Sequence, residues 1–287
     1  MKIDLYTRCW NDGAMLGFFF RHYDEIVRRY VVYDDGSTDN SREILRSHRK
    51  VDLRALEYSD PDSRVASGQI LQNACWKESR GDADWVIVTD IDEHLHHAQL
   101  ALYLDDCRRS GVTAIPSLGY QMLSEEFPRE GQKLCETLTF GEPSEIYSKM
   151  NIFSPDAIEE TNFNLGRHTA KPVGRVVIPA RDELLLLHYR YLGFERTQKR
   201  HEEYLTRQRK RDLEKGWGIQ YSWSREALRE VWDGVRAGLV DVSDPALRPW
   251  ETRLESFWWH GYPRLGAEGL DLASSHEARP HVGSSER

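Results

Sequence analysis

The stretch D-W-V-I-V-T-D-I-D-E-H-L-H-H, residues 84–97, holds the strongest structural signal of the sequence. Its first part, from Trp85 to Thr89, is aromatic, aliphatic or β-branched, which is typical of a strand buried on both faces. The apolar run ends at Asp90 and Asp92, and residues two apart on an extended chain point to the same side. The stretch therefore predicts a central strand with two carboxylates at its carboxyl end.

Two neighbouring carboxylates are costly unless a cation lies between them. A divalent ion such as Mg²⁺ or Mn²⁺ takes oxygen ligands and keeps positions open for substrate phosphates. We therefore interpret Asp90 and Asp92 as ligands of a divalent metal. The alternative is that they only cap the following segment and solvate the strand end.

Before this strand, segments with strand and helix spacing alternate along the chain. Residues 2–7, 30–33 and 51–58 have strand patterns, and the segments between them have helical ones. This alternation predicts βαβ units, and hence a Rossmann-like α/β fold with a mostly parallel sheet flanked by helices. Ligands bind beyond the carboxyl ends of such strands, where Arg8, Asp34 and Asp35 also fall.

The alternation of strand and helix patterns ends after Gly111, and the sequence becomes helical and strongly charged after residue 193. We expect a catalytic domain over residues 1–192, with a nucleotide-binding half (1–111) and an acceptor half (112–192). Residues 129–146 are polar and predict a mobile lid. We expect a helical C-terminal region over 193–275, then a disordered tail over 276–287, which lacks apolar residues.

Composition excludes several classes of protein. The 287 residues are 39% hydrophobic and carry a net charge of −8, which argues against a nucleic-acid binder. No run approaches the roughly 18 apolar residues of a membrane span. Four scattered cysteines without a C-x-x-C pair favour a reducing cytoplasm over a zinc site or a disulfide framework. A homo-oligomer is compatible with this composition.

The segment D-D-G-S-T-D, residues 34–39, follows a short apolar strand and opens a helix. A carboxylate at this position can accept a hydrogen bond from a nucleobase or a ribose, and the helix N-terminus can face a phosphate. A polar turn with an N-cap is the alternative. The D-x-D some fifty residues later favours the functional interpretation.

These motifs resemble the family 2 glycosyltransferases with the GT-A fold. The resemblance covers about residues 2–221 and includes Y-T-R-C-W-N-D-G, V-V-Y-D-D-G-S-T-D-N-S, N-A-C-W-K, D-W-V-I-V-T-D-I-D-E, G-Y-Q-M-L-S-E-E-F-P, G-R-H and L-L-H-Y-R-Y-L-G. It implies transfer of a sugar from a nucleotide-diphosphate donor, with UDP-sugar favoured, with Mn²⁺ or Mg²⁺ and with inversion. The family more often has Glu at the position of Asp12 and Asp at the position of Glu93. Both residues of this chain keep a carboxylate.

The resemblance also implies roles for individual residues. Asp34 and Asp35 would hold the nucleoside, and Asp90 and Asp92 the metal on the diphosphate. His188 follows four leucines at a strand end and would be a third metal ligand, although a histidine satisfied inside the protein is the alternative. The full set of expected donor-binding residues is Thr7, Arg8, Asn11, Asp34, Asp35, Asn73, Lys77 and Asp90.

Inversion requires a general base that removes the proton of the acceptor. Glu125 and Glu126 are candidates because they follow a predicted strand near the metal edge. His168 is the third candidate, because an imidazole with a pKa near neutrality is suited to proton abstraction. His94, His96 and His97 are expected to be solvated.

Two other functions are compatible with a carboxylate-rich sheet edge. A nucleotidyltransferase would share the metal site, but usually has a Gly-rich loop with Lys or Arg after its first strand. The segment R-C-W-N-D-G, residues 8–13, has one Gly and one Arg. A non-catalytic nucleotide-sugar-binding partner would bind the donor without turnover.

Overall fold

The computed structural model describes residues 1–253 and 255–265. The predicted tail, residues 276–287, and residues 266–275 of the predicted helical region lie outside this range. The strands are β1 Ile3–Cys9, β2 Arg29–Asp34, β3 Val51–Ala55, β4 Trp85–Val88, β5 Glu93–His96, β6 Ala114–Ser124, β7 Phe140–Phe153, β8 Ile158–Glu160, β9 Val173–Gly174, β10 Leu185–Leu192 and β11 Val240–Asp241. The helices are α1 Gly13–Tyr23, α2 Ser41–Ser47, α3 Arg64–Ala74, α4 Leu100–Arg109, α5 Leu134–Thr137, α6 Phe194–Leu205, α7 Lys210–Glu214, α8 Arg225–Ala237 and α9 Pro249–Thr252.

The first half of the chain forms the parallel part of the main sheet. The strand order of this sheet is β3-β2-β1-β4-β7-β6-β10-β5, and the first four strands are parallel. All four residues of β4 are buried, as expected of a strand covered on both faces. Helix α1 presents an aromatic face, including Phe18 and Phe19, to the core. The α/β class with helices flanking a sheet is confirmed.

The second half of the sheet is mixed rather than parallel. Strand β7 pairs antiparallel with both β4 and β6, and β5 pairs antiparallel with β10. Strands β6 and β7 are long, with 11 and 14 residues, and are joined without a crossover helix of the βαβ type. Antiparallel neighbours need no such crossover, so the strand–helix alternation of the first half does not continue here.

Two local expectations differ from the structure. Residues 129–146, expected as a mobile lid, form α5 and the start of β7, and Leu134 of this segment is buried. His94, expected to be solvated, is fully buried and stacks on His22 with 4.5 Å between the ring centres. It is buried because residues 93–96 form a strand instead of a loop and pair with β10.

The region after β10 is mainly helical. Phe194 of α6 and Trp232 of α8 belong to a second apolar cluster, which also includes Leu123 and Tyr191 at the ends of β6 and β10. The segment from Arg200 in α6 to Arg211 in α7 contacts the loops that follow β1, β2 and β3. No helix among the described residues is both long and apolar enough to cross a membrane. The four cysteines are free thiols.

Candidate active site

The first aspartate of the D-x-D motif lies between two guanidinium groups. Arg167 Nη2 donates a hydrogen bond of 3.0 Å to Asp90 Oδ2, and Arg8 Nη2 lies 3.5 Å from Asp90 Oδ1. Burial raises the pKa of Asp90, but Arg167 outweighs this effect and the pKa lies below its usual value. Asp90 is therefore an ionised group that already pairs with cations of the protein.

Arg167 is the centre of a buried network of charges at the end of β4. Its fully buried side chain donates to Val88 O at 2.6 Å and to Glu93 Oε2 at 2.7 Å. Lys149 pairs with the other oxygen of Glu93 at 2.5 Å. Burial raises the pKa of Glu93, but Arg167 and Lys149 hold it well below its usual value. This network fixes the turn that carries Asp90.

The backbone of Arg167 has a φ of +60°, in the left-handed region that side chains other than glycine rarely adopt. Such a conformation costs about 1–3 kcal/mol and persists only where the surroundings enforce it. The hydrogen bonds of its guanidinium group to Val88, Asp90 and Glu93 supply this constraint.

The second aspartate of the motif faces His188. Because β5 pairs with β10, Glu93 lies opposite His188, and Tyr189 N donates to Asp92 O at 2.7 Å. This pairing brings His188 Nε2 to 3.6 Å from Asp92 Oδ2. Two residues nearly a hundred positions apart are thus joined at one sheet edge.

The neighbours of His188 define which of its nitrogens carries the proton. Gln121 donates its amide N–H groups to Met122 O at 2.9 Å and His188 O at 3.1 Å, so its Oε1 faces His188 Nδ1 as an acceptor at 2.8 Å. Nδ1 therefore holds the proton. Burial lowers the pKa of His188, which favours the neutral ring, although Asp92 acts to raise it.

The unprotonated Nε2 of His188 and the carboxylate of Asp92 are two acceptors that face each other, an arrangement a divalent cation would stabilise. Among residues 1–253 and 255–265, no three His, Cys, Asp or Glu side chains converge as a metal site. A nucleotide-bound Mg²⁺ needs only one or two protein ligands, because phosphates and water complete its shell. Asp92 and His188 fit that requirement, whereas Asp90 is engaged by Arg8 and Arg167.

The loop after β1 makes several hydrogen bonds to the D-D-G-S-T-D loop after β2. Asn11 Oδ1 accepts hydrogen bonds from Thr38 N at 2.7 Å and from Asp39 N at 3.2 Å, and Asn11 N donates to Ser37 Oγ at 3.0 Å. Asn11 adopts a φ of +49°, which asparagine tolerates better than most residues. Asn11 therefore joins two loops at the predicted nucleotide edge.

Both aspartates of the D-D-G segment lie at this edge and contact arginines. Arg42 Nε lies 3.3 Å from Asp34 Oδ2, and Arg207 Nη2 lies 3.0 Å from Asp35 Oδ2. The hydroxyl of Tyr58 also donates to Asp35. The remaining predicted residue of this edge, Thr7, is buried, and its hydroxyl donates to Arg8 O at 3.3 Å.

The other two predicted donor ligands contact a different segment. Asn73 Oδ1 accepts hydrogen bonds from Phe163 N at 2.7 Å and Thr161 Oγ1 at 2.8 Å. Lys77 Nζ pairs with Glu160 at 2.5 Å. These contacts connect α3 and the turn after it to residues 160–163, and neither side chain hydrogen-bonds to the D-x-D motif.

The three predicted bases lie in different surroundings. Glu125 is 59% exposed and pairs with Arg236 of α8, and Glu126 is also exposed. His168 is closer to the site, because Tyr147 lies between it and His188, with ring centres 6.5 and 4.1 Å away. His168 Nδ1 is 2.7 Å from Ile146 O, and burial lowers the pKa of His168 to about 4.

Asp12 shares a cavity with Asp92 and was not among the predicted bases. Arg200 Nη2 donates to Asp12 Oδ1 at 2.9 Å, and Trp10 N donates to Asp12 Oδ2 at 2.9 Å. Burial raises the pKa of Asp12 to about 6, although Arg200 acts to lower it. Asp12 is therefore a carboxylate whose proton affinity is suited to acid–base chemistry near neutrality.

Sequence reasoning also missed Arg167, Lys149 and Arg190. For the charged helical stretch that holds Arg196 and Arg200, the sequence predicts a mostly solvated face from which one or two cations could reach the donor phosphates or a charged acceptor. The G-R-H motif contains Arg167, yet only the neighbouring His168 became a candidate. Lys149 lies in the interior of β7, where a sequence pattern gives no indication that a cation will meet Glu93.

The D-D-G and D-x-D carboxylates lie in loops at one edge of a parallel half-sheet, and the match of the sequence to a glycosyltransferase family shows that the protein is a glycosyltransferase. This assignment sets aside the nucleotidyltransferase and the non-catalytic binding partner. The model of glycosyltransferase family 92 matches residues 15–220, well over half of the sequence, and the chain belongs to that family. None of the curated proteins matches its sequence. The resemblance to family 2 stays an expectation.

The chain is similar in part to several solved structures. The first 349 residues of S. aureus TarS, in complex with UDP-GlcNAc, are 12% identical over 72% of this chain and 66% of that one, with a TM-score of 0.35. The M. tuberculosis glucosyl-3-phosphoglycerate synthase, crystallised with Mn²⁺, UDP and glucosyl-3-phosphoglycerate, is 15% identical over 54% of this chain and 57% of that one, with a TM-score of 0.32. Another structure of TarS 1–349 is 14% identical, with a TM-score of 0.31, and the match spans about half of each chain (54% of this one and 47% of that one).

Proposed function

We propose that this glycosyltransferase moves a sugar from a nucleotide-diphosphate donor, with UDP-sugar favoured, to a hydroxyl or amine of a glycan or small molecule. The proposal includes a divalent cation, Mg²⁺ or Mn²⁺, held by Asp92 and His188. The observation that supports it is the 3.6 Å approach of two acceptors, the unprotonated Nε2 of His188 and Oδ2 of Asp92. When bound, the cation supplies positive charge to the departing diphosphate.

The nucleoside is assigned to the edge formed by the loops after β1 and β2. Asp34 lies at the carboxyl end of β2, where it can accept a hydrogen bond from a base or a ribose. Arg8 lies between this edge and Asp90. In this assignment Asp90 orients Arg8 and the turn of the motif, and Asp92 contacts the cation.

We assign the general base to Asp12 in preference to Glu125, Glu126 and His168. Asp12 lines the same cavity as Asp92, and its pKa of about 6 makes it a stronger base than His168, with a pKa of about 4. Asp12 would take the proton of the acceptor hydroxyl while the acceptor oxygen attacks the anomeric carbon. Attack opposite to the departing diphosphate gives inversion in a single displacement.

The proposal is tested by thermal unfolding with UDP-, GDP- and dTDP-sugars, with and without Mn²⁺. We expect one nucleotide to raise the Tm only when Mn²⁺ is present. The Asp92→Asn and His188→Ala variants should lose the Mn²⁺-dependent part of the shift, because each removes one ligand. Asp106→Asn, which removes an exposed carboxylate of α4, is the matched control and should retain it.

A folded wild-type protein whose Tm responds to none of these donors would contradict the proposed function. A shift that is independent of Mn²⁺ and survives both substitutions would contradict only the metal site. The free thiols agree with a cytoplasmic location, which we propose together with the activity.

A further inference from the structure

Three arginines converge on the cavity that contains Asp12 and Asp92. Arg190 comes from the end of β10, and Arg196 and Arg200 come from α6. Arg200 is neutralised, because it pairs with Asp12 at 2.9 Å and with Glu203 at 3.0 Å. The other two guanidinium groups have different surroundings.

Arg196 forms no ion pair and no hydrogen bond with any residue in the ranges 1–253 and 255–265. Its guanidinium carbon lies 4.2 Å from the ring centre of Phe127, so one face of the group is covered by an aromatic ring. Burial and the neighbouring Arg200 lower the pKa of Arg196. The N–H donors of this half-buried guanidinium group have no acceptor among these residues and line the cavity, where they can bind the oxygens of a ligand.

Arg190 likewise has no carboxylate within ion-pair distance in the described part of the chain. Its guanidinium carbon lies 5.2 Å from the ring centre of Tyr221 and 5.6 Å from that of Tyr204. These rings stack on each other at 4.9 Å and hold the side chain against the cavity. The Tyr221 hydroxyl is also a hydrogen-bond partner of the Arg190 side chain. The remaining N–H donors have the forked geometry that suits carboxylate and phosphate groups.

The strand order separates Arg190, and the Phe127 ring that contacts Arg196, from the D-D-G segment. Asp34 is the last residue of β2 and Asp35 follows it, whereas Arg190 lies near the end of β10 and Phe127 follows β6, on the other side of β4. The nucleoside edge has cations of its own, since Arg42 pairs with Asp34 and Arg207 with Asp35. The diphosphate of a nucleotide sugar carries two negative charges, which a divalent cation at Asp92 would offset.

We propose that Arg196 and Arg190 bind an anionic group, a carboxylate or a phosphate, on the acceptor. This inference rests on the proposed function and specifies the class of its acceptor. With Asp12 paired to Arg200 and Asp92 bound to the cation, the excess charge of the cavity is positive. An anion held by Arg196 would place a neighbouring hydroxyl of the same molecule near Asp12, because both side chains line this cavity.

The inference is tested by calorimetric titration of inorganic phosphate, and separately of glycolate, into the protein saturated with UDP and Mg²⁺. We expect at least one of these anions to bind to the UDP complex of the wild type. Arg196→Gln should weaken that binding about ten-fold or more, which corresponds to the loss of a charge-assisted hydrogen bond. The affinity for UDP should change by less than about two-fold, since Arg196 lies outside the nucleoside edge.

Two further variants show whether an effect of Arg196→Gln comes from the lost guanidinium group or from a change in the fold. Lys199→Gln removes an exposed cation three residues along the same helix and should bind the anion as the wild type does. Arg196→Lys keeps the charge without the two-pronged geometry and should recover part of the affinity. Unchanged thermal unfolding of Arg196→Gln shows that the variant is folded.

The inference is overturned if phosphate competes with UDP in the wild type, because the arginines would then belong to the diphosphate site. It is also overturned if neither anion binds the UDP complex, or if Arg196→Gln binds it as tightly as the wild type. Absence of UDP binding to the wild type would instead refute the proposed function, and this inference with it.

Discussion

At the scale of a single residue, burial and a neighbouring arginine shift the pKa of Asp12 in opposite directions. Burial favours its neutral form and raises its pKa to about 6, while Arg200, 2.9 Å away, favours the charged form. Asp92 raises the pKa further and Arg196 lowers it. Because a base must be deprotonated to act, turnover should fall as the pH drops through the pKa of Asp12.

The pH dependence of UDP release from a UDP-sugar checks this assignment. The wild type should lose activity below about pH 6, the value toward which the environment shifts Asp12. Arg200→Gln removes the charge that lowers the pKa, so the acidic limb should move to higher pH. His168→Gln should leave the limb where it is. If His168→Gln abolishes the limb and Arg200→Gln leaves it unchanged, the base is His168 rather than Asp12.

The candidate site shows which residues a sequence can reveal. Asp90 and Asp92 were recognisable because a buried apolar run stops at them, and Asp34 because a strand stops before it. Arg167 and Lys149 were not, since their positions depend on a left-handed backbone residue and on the pairing of β7 with β4 and β6. Charges that meet only through tertiary contacts leave no periodic signal in the chain.

At the scale of elements, the start of α3 depends on a residue far along the sequence. Asp212 of α7 is buried and accepts hydrogen bonds from Ser63 Oγ at 2.5 Å and from Arg64 N at 3.0 Å. Ser63 in turn accepts from Ala66 N at 2.9 Å as the N-cap of α3. A negative charge at a helix N-terminus is stabilising, and here it satisfies orphan N–H donors as well.

Asp212→Ala should therefore destabilise the protein by about 1–3 kcal/mol, the range for losing a cap and leaving buried donors unpaired. Urea unfolding gives this free energy. Amide hydrogen exchange should accelerate at Arg64 and Val65, whose N–H groups lose their acceptor. Asp233→Ala, an exposed carboxylate on α8, is the control and should change stability by less than about 0.5 kcal/mol. An equal effect of the two substitutions would argue against the capping role.

The elements themselves were predictable to different extents. The first four strands and α1 have clear periodic patterns, and the structure has all of them. The sequence does not indicate β5, because E-H-L-H carries polar residues. The sheet accommodates them by burying Glu93 in a charge network and His94 in an aromatic cluster. The mixed order of the second half follows from strand pairing, which no local pattern specifies.

At the scale of the whole molecule, the segment from Arg200 to Asp212 joins the helical region to the parallel half of the sheet. Arg200 pairs with Asp12 after β1, Arg207 with Asp35 after β2, and Arg211 with Asp60 after β3. Each of the first three strand-to-helix loops thus has a partner in this segment. Binding of a nucleotide at the nucleoside edge should therefore also stabilise the segment of the helical region that carries these arginines.

We expect UDP with Mg²⁺ to slow amide hydrogen exchange in two places, the loop of residues 34–40 and residues 206–212. The second effect should disappear in Arg207→Gln, which removes the ion pair to Asp35 while leaving Asp34 in place. Arg236→Gln, which breaks an exposed pair on α8, is the control. Protection restricted to residues 34–40 in the wild type would show that the two regions are not coupled.

The same three ion pairs have a consequence for biosynthesis. A ribosome releases the chain from its N-terminus, so the loops after β1, β2 and β3 emerge more than a hundred residues before Arg200, Arg207 and Arg211. The parallel half of the sheet can collapse early, yet its nucleoside edge acquires these partners only when translation has passed Asp212. In the proposed function, the donor site is therefore complete only after this late segment has left the ribosome.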